Sequence, residues 1–201
     1  MIKAVISDLG RVILDFDHHI CTGKLSRLCK CDDEEIFDFI YRAKADIKFD
    51  RGEMSPEEFF GRISKYFNLK LGMAEFTEIF ADIFSLNAPV AGLLKTLKQK
   101  YALCLLSNTN ILHYEFCKKK FDILKIFDHA ILSYKLHVMK PHPKIYMEAV
   151  NLCKVKPEEC VYIDDIAEFS EAAEFLGIHG INFKNIGQLK EELKKAGVSI
   201  Q

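Results

Sequence analysis

The stretch Ile2-Lys3-Ala4-Val5-Ile6-Ser7-Asp8-Leu9-Gly10 decides the reading of this chain. A short apolar run rich in β-branched residues, spanning 2–7, predicts a buried strand. It ends on a carboxylate, Asp8, followed closely by Gly10. A charge placed straight after a buried strand has to be desolvated, paired or metal-bound, because an unpaired buried charge is too costly to keep.

Two later segments repeat the pattern. Residues 101–106 (YALCLL) predict a second buried strand that ends at Ser107-Asn108, and residues 161–163 predict another that ends at Asp164-Asp165. Helical spacing fills the intervals, with helices expected over 89–100, 111–120, 143–153, 167–176 and 186–195. Short strands are expected at 129–132 and 178–182. Strand–helix alternation of this kind predicts a parallel sheet with helices on both faces, a Rossmann-like α/β core. Between residues 17 and 86 the character changes to helical spacing without strands, as at 33–45 and 55–67. Ser55-Pro56-Glu57-Glu58 marks a helix start, with Ser as N-cap, Pro in the first turn and carboxylates at the positive end of the dipole. The expected organisation is an α/β core of residues 1–16 and 87–201, with a helical insertion at 17–86.

Composition narrows the function. The 28 Lys+Arg and 29 Asp+Glu residues give a formal net charge of -1, without the basic excess of a nucleic-acid-binding protein. The run Lys118-Lys119-Lys120 reads as a solvated helix end. No apolar run approaches the ~18 residues of a membrane span, and the first residues already form a strand rather than a signal peptide. Seven cysteines in no framework spacing suit reduced thiols, and Cys29-Lys30-Cys31 has no matching pair that would complete a metal site. A cytoplasmic protein is expected, with no nucleic-acid or membrane partner; composition is silent on oligomeric state.

Ligands of open α/β sheets bind beyond the carboxyl ends of the strands. Asp8, Ser107, Asn108, Asp164 and Asp165 all fall there, and Lys140-Pro141-His142-Pro143 lies in a loop just before a helix. Each has an ordinary alternative: Asp165 as the cap of a helix starting at Ile166, Ser107 or Asn108 as the cap of the helix near Ile111, Lys140 as a solvated loop lysine. Their order and common location favour a site.

These segments, Asp8-Leu9-Gly10-Arg11-Val12, Leu106-Ser107-Asn108-Thr109, Lys140-Pro141 and Ile163-Asp164-Asp165, resemble the four motifs of haloacid dehalogenase-like hydrolases, in family order. The insertion at 17–86 is similar to the cap these enzymes carry after the first motif. Arg51-Gly52-Glu53 and Leu106–Asn110 (LSNTN) resemble the branch of bacterial glucose-1-phosphatases and the phosphatase domain of soluble epoxide hydrolase. The resemblance implies a Mg2+-dependent phosphatase acting on a small phosphorylated metabolite, a sugar phosphate being one candidate. Asp8 would be the nucleophile, forming an aspartyl-phosphate. Mg2+ would be held by Asp8, the carbonyl of Gly10 and Asp165, with Asp164 supporting them. Ser107, Asn108 and Lys140 would bind the phosphoryl group, and Lys140 would neutralise its charge.

The chain departs from the family in one respect that bears on mechanism. Gly10 stands where most family phosphatases carry a second Asp as general acid and base. Asp15, Asp17, His18 and His19 are the nearest replacements, unless they form only a polar hinge. Ile166 and Phe169 replace polar residues after the paired acids, and Arg11 faces either a substrate anion or solvent. Two other readings stay open. A metal-free 2-haloacid dehalogenase would tolerate Gly10, but not the adjacent carboxylates Asp164-Asp165 beside a nucleophilic one. A catalytically silent binding module would tolerate all the departures, but gives no reason to retain Asp8, Ser107, Lys140 and Asp165.

Overall fold

The computed structural model describes residues 1–42 and 45–200. Among the described residues there are seven strands: β1 (Ala4–Ser7), β2 (Leu14–Phe16), β3 (Phe84–Leu86), β4 (Ala102–Ser107), β5 (His129–Leu132), β6 (Cys160–Asp164) and β7 (His179–Asn182). Five of them form one sheet in the order β5-β4-β1-β6-β7, and every neighbouring pair is parallel. All four residues of β1 and all five of β6 are buried, as strands covered on both faces require.

Alternation along the strands splits the core in two. Val5, Leu103, Leu105, Val161 and Ile163 face one side, against Val90, Leu94 and Leu97 of helix Ala88–Leu97 and Leu189 and Leu193 of helix Ile186–Lys195. Ala4, Ile6, Cys104, Leu106 and Tyr162 face the other, against Ile145, Tyr146 and Ala149 of helix Pro143–Cys153 and Ala173 of helix Ala167–Glu174.

A third apolar cluster belongs to the helices between β2 and β3. Phe49, Phe59, Phe76 and Phe80 form its centre, with Phe49 and Phe59 stacked at 4.3 Å. Helix Pro56–Phe67 begins as its sequence predicts: Ser55 and Glu58 exchange the reciprocal bonds of a capping box. The helix expected over 33–45 is different. An α-helical piece, Asp33–Phe37, runs into a π-helical turn, Asp38–Arg42, and positions 43–44 of the expected helix lie outside the described residues.

No local pattern announces the two-stranded ribbon at the base of this module. β2 and β3 pair antiparallel, Leu14 with Leu86 and Phe16 with Phe84, so the chain leaves the sheet and returns to it side by side. Among the described residues no helix is long and apolar enough to cross a membrane.

Because β1 lies between β4 and β6, their carboxyl ends adjoin at the point where the strand order reverses, the crevice in which such sheets bind ligands.

Candidate active site

Asp8 follows β1 directly, and Asp164 is the last residue of β6. Between them lies the ammonium of Lys140, 2.7 Å from Asp8 Oδ1 and 2.7 Å from Asp164 Oδ2. The Lys140 side chain is only 2% exposed, so it is no solvated loop lysine. Burial works against its charge, but the two carboxylates outweigh it and hold its pKa above the ordinary lysine value.

Asn108 fixes the lysine in place. Its Oδ1 accepts from the Lys140 backbone N–H at 2.8 Å, and its Nδ2 donates to the Lys140 carbonyl at 3.2 Å. The side chain expected to touch substrate is thus spent on the loop that carries Lys140. What Asn108 leaves for a ligand is its backbone.

Asp164 is fully engaged. Its Oδ2 accepts from Lys140 and from the Tyr162 hydroxyl, and its Oδ1 accepts from Ile166 N–H at 2.9 Å. The expected alternative for the acidic pair, an N-terminal bond to Ile166, is therefore made by Asp164 and not by Asp165. Asn110, not Ser107 or Asn108, caps the helix Ile111–Lys120, accepting from His113 N–H at 3.0 Å. Asp165 is half-buried, and its pKa is raised by burial and by the charge of Asp164.

Asp8, Asp164 and Asp165 each present an oxygen within 4.8 Å of the others. Burial pushes the Asp8 carboxyl up to about 7, Lys140 pulling it down and Asp164 raising it further. With all three ionised, one ammonium leaves two negative charges uncompensated in a desolvated site. An all-oxygen set with that charge suits a hard divalent cation such as Mg2+.

A cavity of about 140 Å³ opens between these strand ends and the helical module. Leu9, Gly10, Ser107, Asn108, Thr109 and Asn110 line it from the sheet side, Phe16 from the ribbon, and His18, Tyr41, Asp46, Asp50 and Phe80 from the module side. Of the four residues near the ribbon considered for proton transfer, His18 is in this wall. Asp15 is exposed on β2. Asp17 accepts from His19 N–H at 2.9 Å, and the His19 ring pairs with Asp33 at 3.0 Å. Arg11 is exposed, with its guanidinium 4.6 Å from the centre of the Phe16 ring.

Several site residues were not anticipated. Tyr162 stands two residues before Asp164 on one strand, so both side chains share a face; that spacing was the available signal. Phe169, read above only as a departure, puts its ring centre 5.1 Å from the Lys140 ammonium. Asp46, Asp50 and Tyr41 carried no signal, because nothing in a helical pattern shows which turn will face a distant strand end.

The family model of haloacid dehalogenase-like hydrolases matches residues 2–177. The solved structure of a family enzyme from Bacteroides thetaiotaomicron, in complex with magnesium and inorganic phosphate, superposes with a TM-score of 0.80 at 25% identity, covering 92% of this chain and 95% of that one. Bifunctional epoxide hydrolase 2 of Rattus norvegicus is 28% identical over 131 residues, 59% of this chain and 23% of that protein. Glyceraldehyde 3-phosphate phosphatase of Methanopyrus kandleri is 41% identical over 46 residues, 23% of this chain and 20% of that protein. The matched stretches thus span about a quarter or less of these two curated relatives. With the motifs, the parallel sheet and the family model in agreement along most of its length, this chain belongs to the haloacid dehalogenase-like hydrolases.

Proposed function

We propose that this chain is a Mg2+-dependent phosphatase of small phosphorylated metabolites, with Asp8 as nucleophile. The observation that carries the reading is the Lys140 ammonium bridging Asp8 and Asp164 at 2.7 Å each, beside a third carboxylate, Asp165. A metal-free dehalogenase would have to hold this excess negative charge next to its own nucleophile.

Asp8, the Gly10 carbonyl and Asp165 are the groups that would hold Mg2+, with Asp164 behind them. When bound, the ion supplies positive charge that lets an anionic carboxylate meet an anionic phosphate. The chain's own residues do the rest. Lys140 orients the Asp8 carboxylate through Oδ1 and draws phosphoryl oxygens toward its own charge. Ser107, its hydroxyl at the end of β4, and the backbone N–H of Asn108 hold the phosphoryl group in line. An Asp8 oxygen forms a bond to phosphorus while the bond from phosphorus to the alcohol oxygen breaks, the alkoxide leaving with the electron pair and taking a proton from water. Water then releases phosphate from the aspartyl-phosphate. The helical module at 17–86 serves as a cap over the core of residues 1–16 and 87–201, and closes the cavity that receives the alcohol.

The test is hydrolysis of an aryl phosphate by the purified protein, with Mg2+ and after chelation. Turnover is expected with the metal and none without it. Dehalogenation of 2-haloacids that survives chelation, with no activity on phosphate esters, would overturn the proposal.

A further inference from the structure

The module wall of the cavity has a chemistry that phosphoryl transfer does not use. Asp46 and Asp50 line it together with Tyr41, Phe16, His18 and Phe84, and among the described residues no lysine or arginine does. Asp50 accepts from Asn110 Nδ2 at 2.9 Å through Oδ1, a neutral partner. Burial pushes its carboxyl up to about 7, and the charge of Asp46 raises it further. Burial likewise takes Asp46 to about 6, against the pull of its own and the next backbone N–H.

His18 adds a further polar group to this wall. His18 Nδ1 is buried without a hydrogen-bond partner. Burial and the charge of Arg11 bring the imidazole down to about 4, so it is neutral near pH 7 and one ring nitrogen offers a lone pair. Its ring is stacked on Tyr41 at 3.9 Å, which fixes its plane. Two desolvated carboxylates and a neutral imidazole ask for a ligand that brings donors and positive charge. A primary ammonium brings both, with three N–H donors on one charged centre. The aromatic walls lower the local dielectric, so the attraction is stronger than in bulk water.

Resting on the phosphatase reading of the adjoining site, we propose that this cavity takes the ammonium group of a phosphorylated aminoalcohol, with Asp46 and Asp50 as its counter-charges and His18 as a third acceptor. The phosphate of such a substrate meets Asp8, Lys140 and Ser107, and its other end carries the charge that the module wall lacks. A neutral polyol would satisfy the acceptors but would leave the two carboxylates uncompensated.

The test is calorimetric binding of two non-hydrolysable probes to the Mg2+-loaded protein, 2-aminoethylphosphonate and propylphosphonate. They share size and phosphonate and differ in terminal charge. The charged probe is expected to bind about tenfold tighter or more, as an ion pair shielded from water implies. Asp46→Asn and Asp50→Asn, which keep shape and an acceptor oxygen, should each shrink that ratio, and the pair together should bring it below about threefold. Asp50 also holds Asn110, so Asp46→Asn carries the test if Asp50→Asn fails to fold.

Equal binding of the two probes, binding of neither, or a preference that survives both substitutions would overturn the inference. Phosphate-ester turnover without that preference, or with a preference for sugar phosphates over O-phosphoethanolamine, overturns it while leaving the phosphatase reading in place. Tight binding of the charged probe without any turnover of phosphate esters does the reverse.

Discussion

In the proposed mechanism Lys140 readies Asp8 as the nucleophile, but it serves Asp164 equally, so Asp8 remains a net-disfavoured charge in the folded metal-free protein. Its carboxyl titrates near 7 rather than at its usual value of 3.8. A raised folded-state pKa contributes stability that is complete below the unfolded pKa and is lost as pH rises through the folded one. Asp8→Asn is therefore expected to abolish phosphate-ester turnover and, in metal-free protein, to raise the thermal midpoint more at pH 8 than at pH 5. Retained turnover would remove Asp8 from its role; a gain equal at both pH values would show that its charge carries no penalty. Gly10 gives a second prediction. Its φ lies outside the left-handed region, so its backbone accepts a side chain, but a Cβ would stand 2.9 Å from Cε1 of Phe16. Gly10→Asp alone should lower turnover of alkyl and aryl phosphates together. Combined with Phe16→Ala, it should raise the alkyl-to-aryl ratio above wild type by about tenfold or more, because a general acid matters most for a poor leaving group. An unchanged ratio in the double variant, with metal still bound, would mean that another group already moves the proton. Asp8 was legible as a residue because a strand pattern ran straight into it. The grip of Asn108 on Lys140 was not, since it joins backbone and side chain 32 positions apart.

At the scale of elements, the turn after helix Ala45–Asp50 ties the helical module to the core. The Asp50 carbonyl accepts from Ser133 Oγ at 2.6 Å, its carboxylate from Asn110, and the Arg51 carbonyl lies 3.0 Å from His137 Nδ1. Gly52 makes the approach possible. It has φ +69, and a Cβ there would lie 2.1 Å from the carbonyl oxygen of Tyr134. Gly52→Ala is expected to cost on the order of 2 kcal/mol, combining a strained φ with a backbone clash, and to lower Tm by roughly 4–8 °C. Gly92, exposed in helix Ala88–Leu97 with open space around it, is the control. Gly92→Ala should stabilise slightly. If Gly52→Ala were as harmless, the turn would not be what joins module and core. Elements with local signals were legible from the sequence. Helices Ile111–Lys120, Pro143–Cys153 and Ile186–Lys195 lie where spacing and boundary residues put them. The ribbon was not legible: each strand has three residues, and their pairing spans about 70 positions of chain, so no local pattern encodes it.

In the molecule as a whole, β1, β6 and the loop of Lys140 bring three carboxylates and one ammonium to the point where the strand order reverses. The sheet's hydrophobic faces fix these strand ends, so packing energy sustains an electrostatic arrangement that would not hold by itself. Sequence order located this convergence, because strand ends in a parallel sheet share one edge whatever the details of packing. The shape of the cavity above it was beyond that argument, since it depends on how helix Ala45–Asp50 and Tyr41 meet the sheet. A folded site with two uncompensated negative charges should be stabilised by the cation it fits, because the unfolded chain lacks that site. Mg2+ at about 100 times its Kd should add about 2.7 kcal/mol of stability and raise Tm by roughly 5–10 °C for a chain of this size. Sodium chloride at matched ionic strength should do much less, because general screening lacks the coordinating geometry. Asp165→Asn should lose most of the Mg2+ increment while keeping the sheet, since Asp165 is half-buried and outside the Lys140 bridge. If Mg2+ at concentrations that saturate hydrolysis left the wild-type Tm unmoved, Asp8 and Asp165 would not be its ligands, and the charge of the three carboxylates would need another partner.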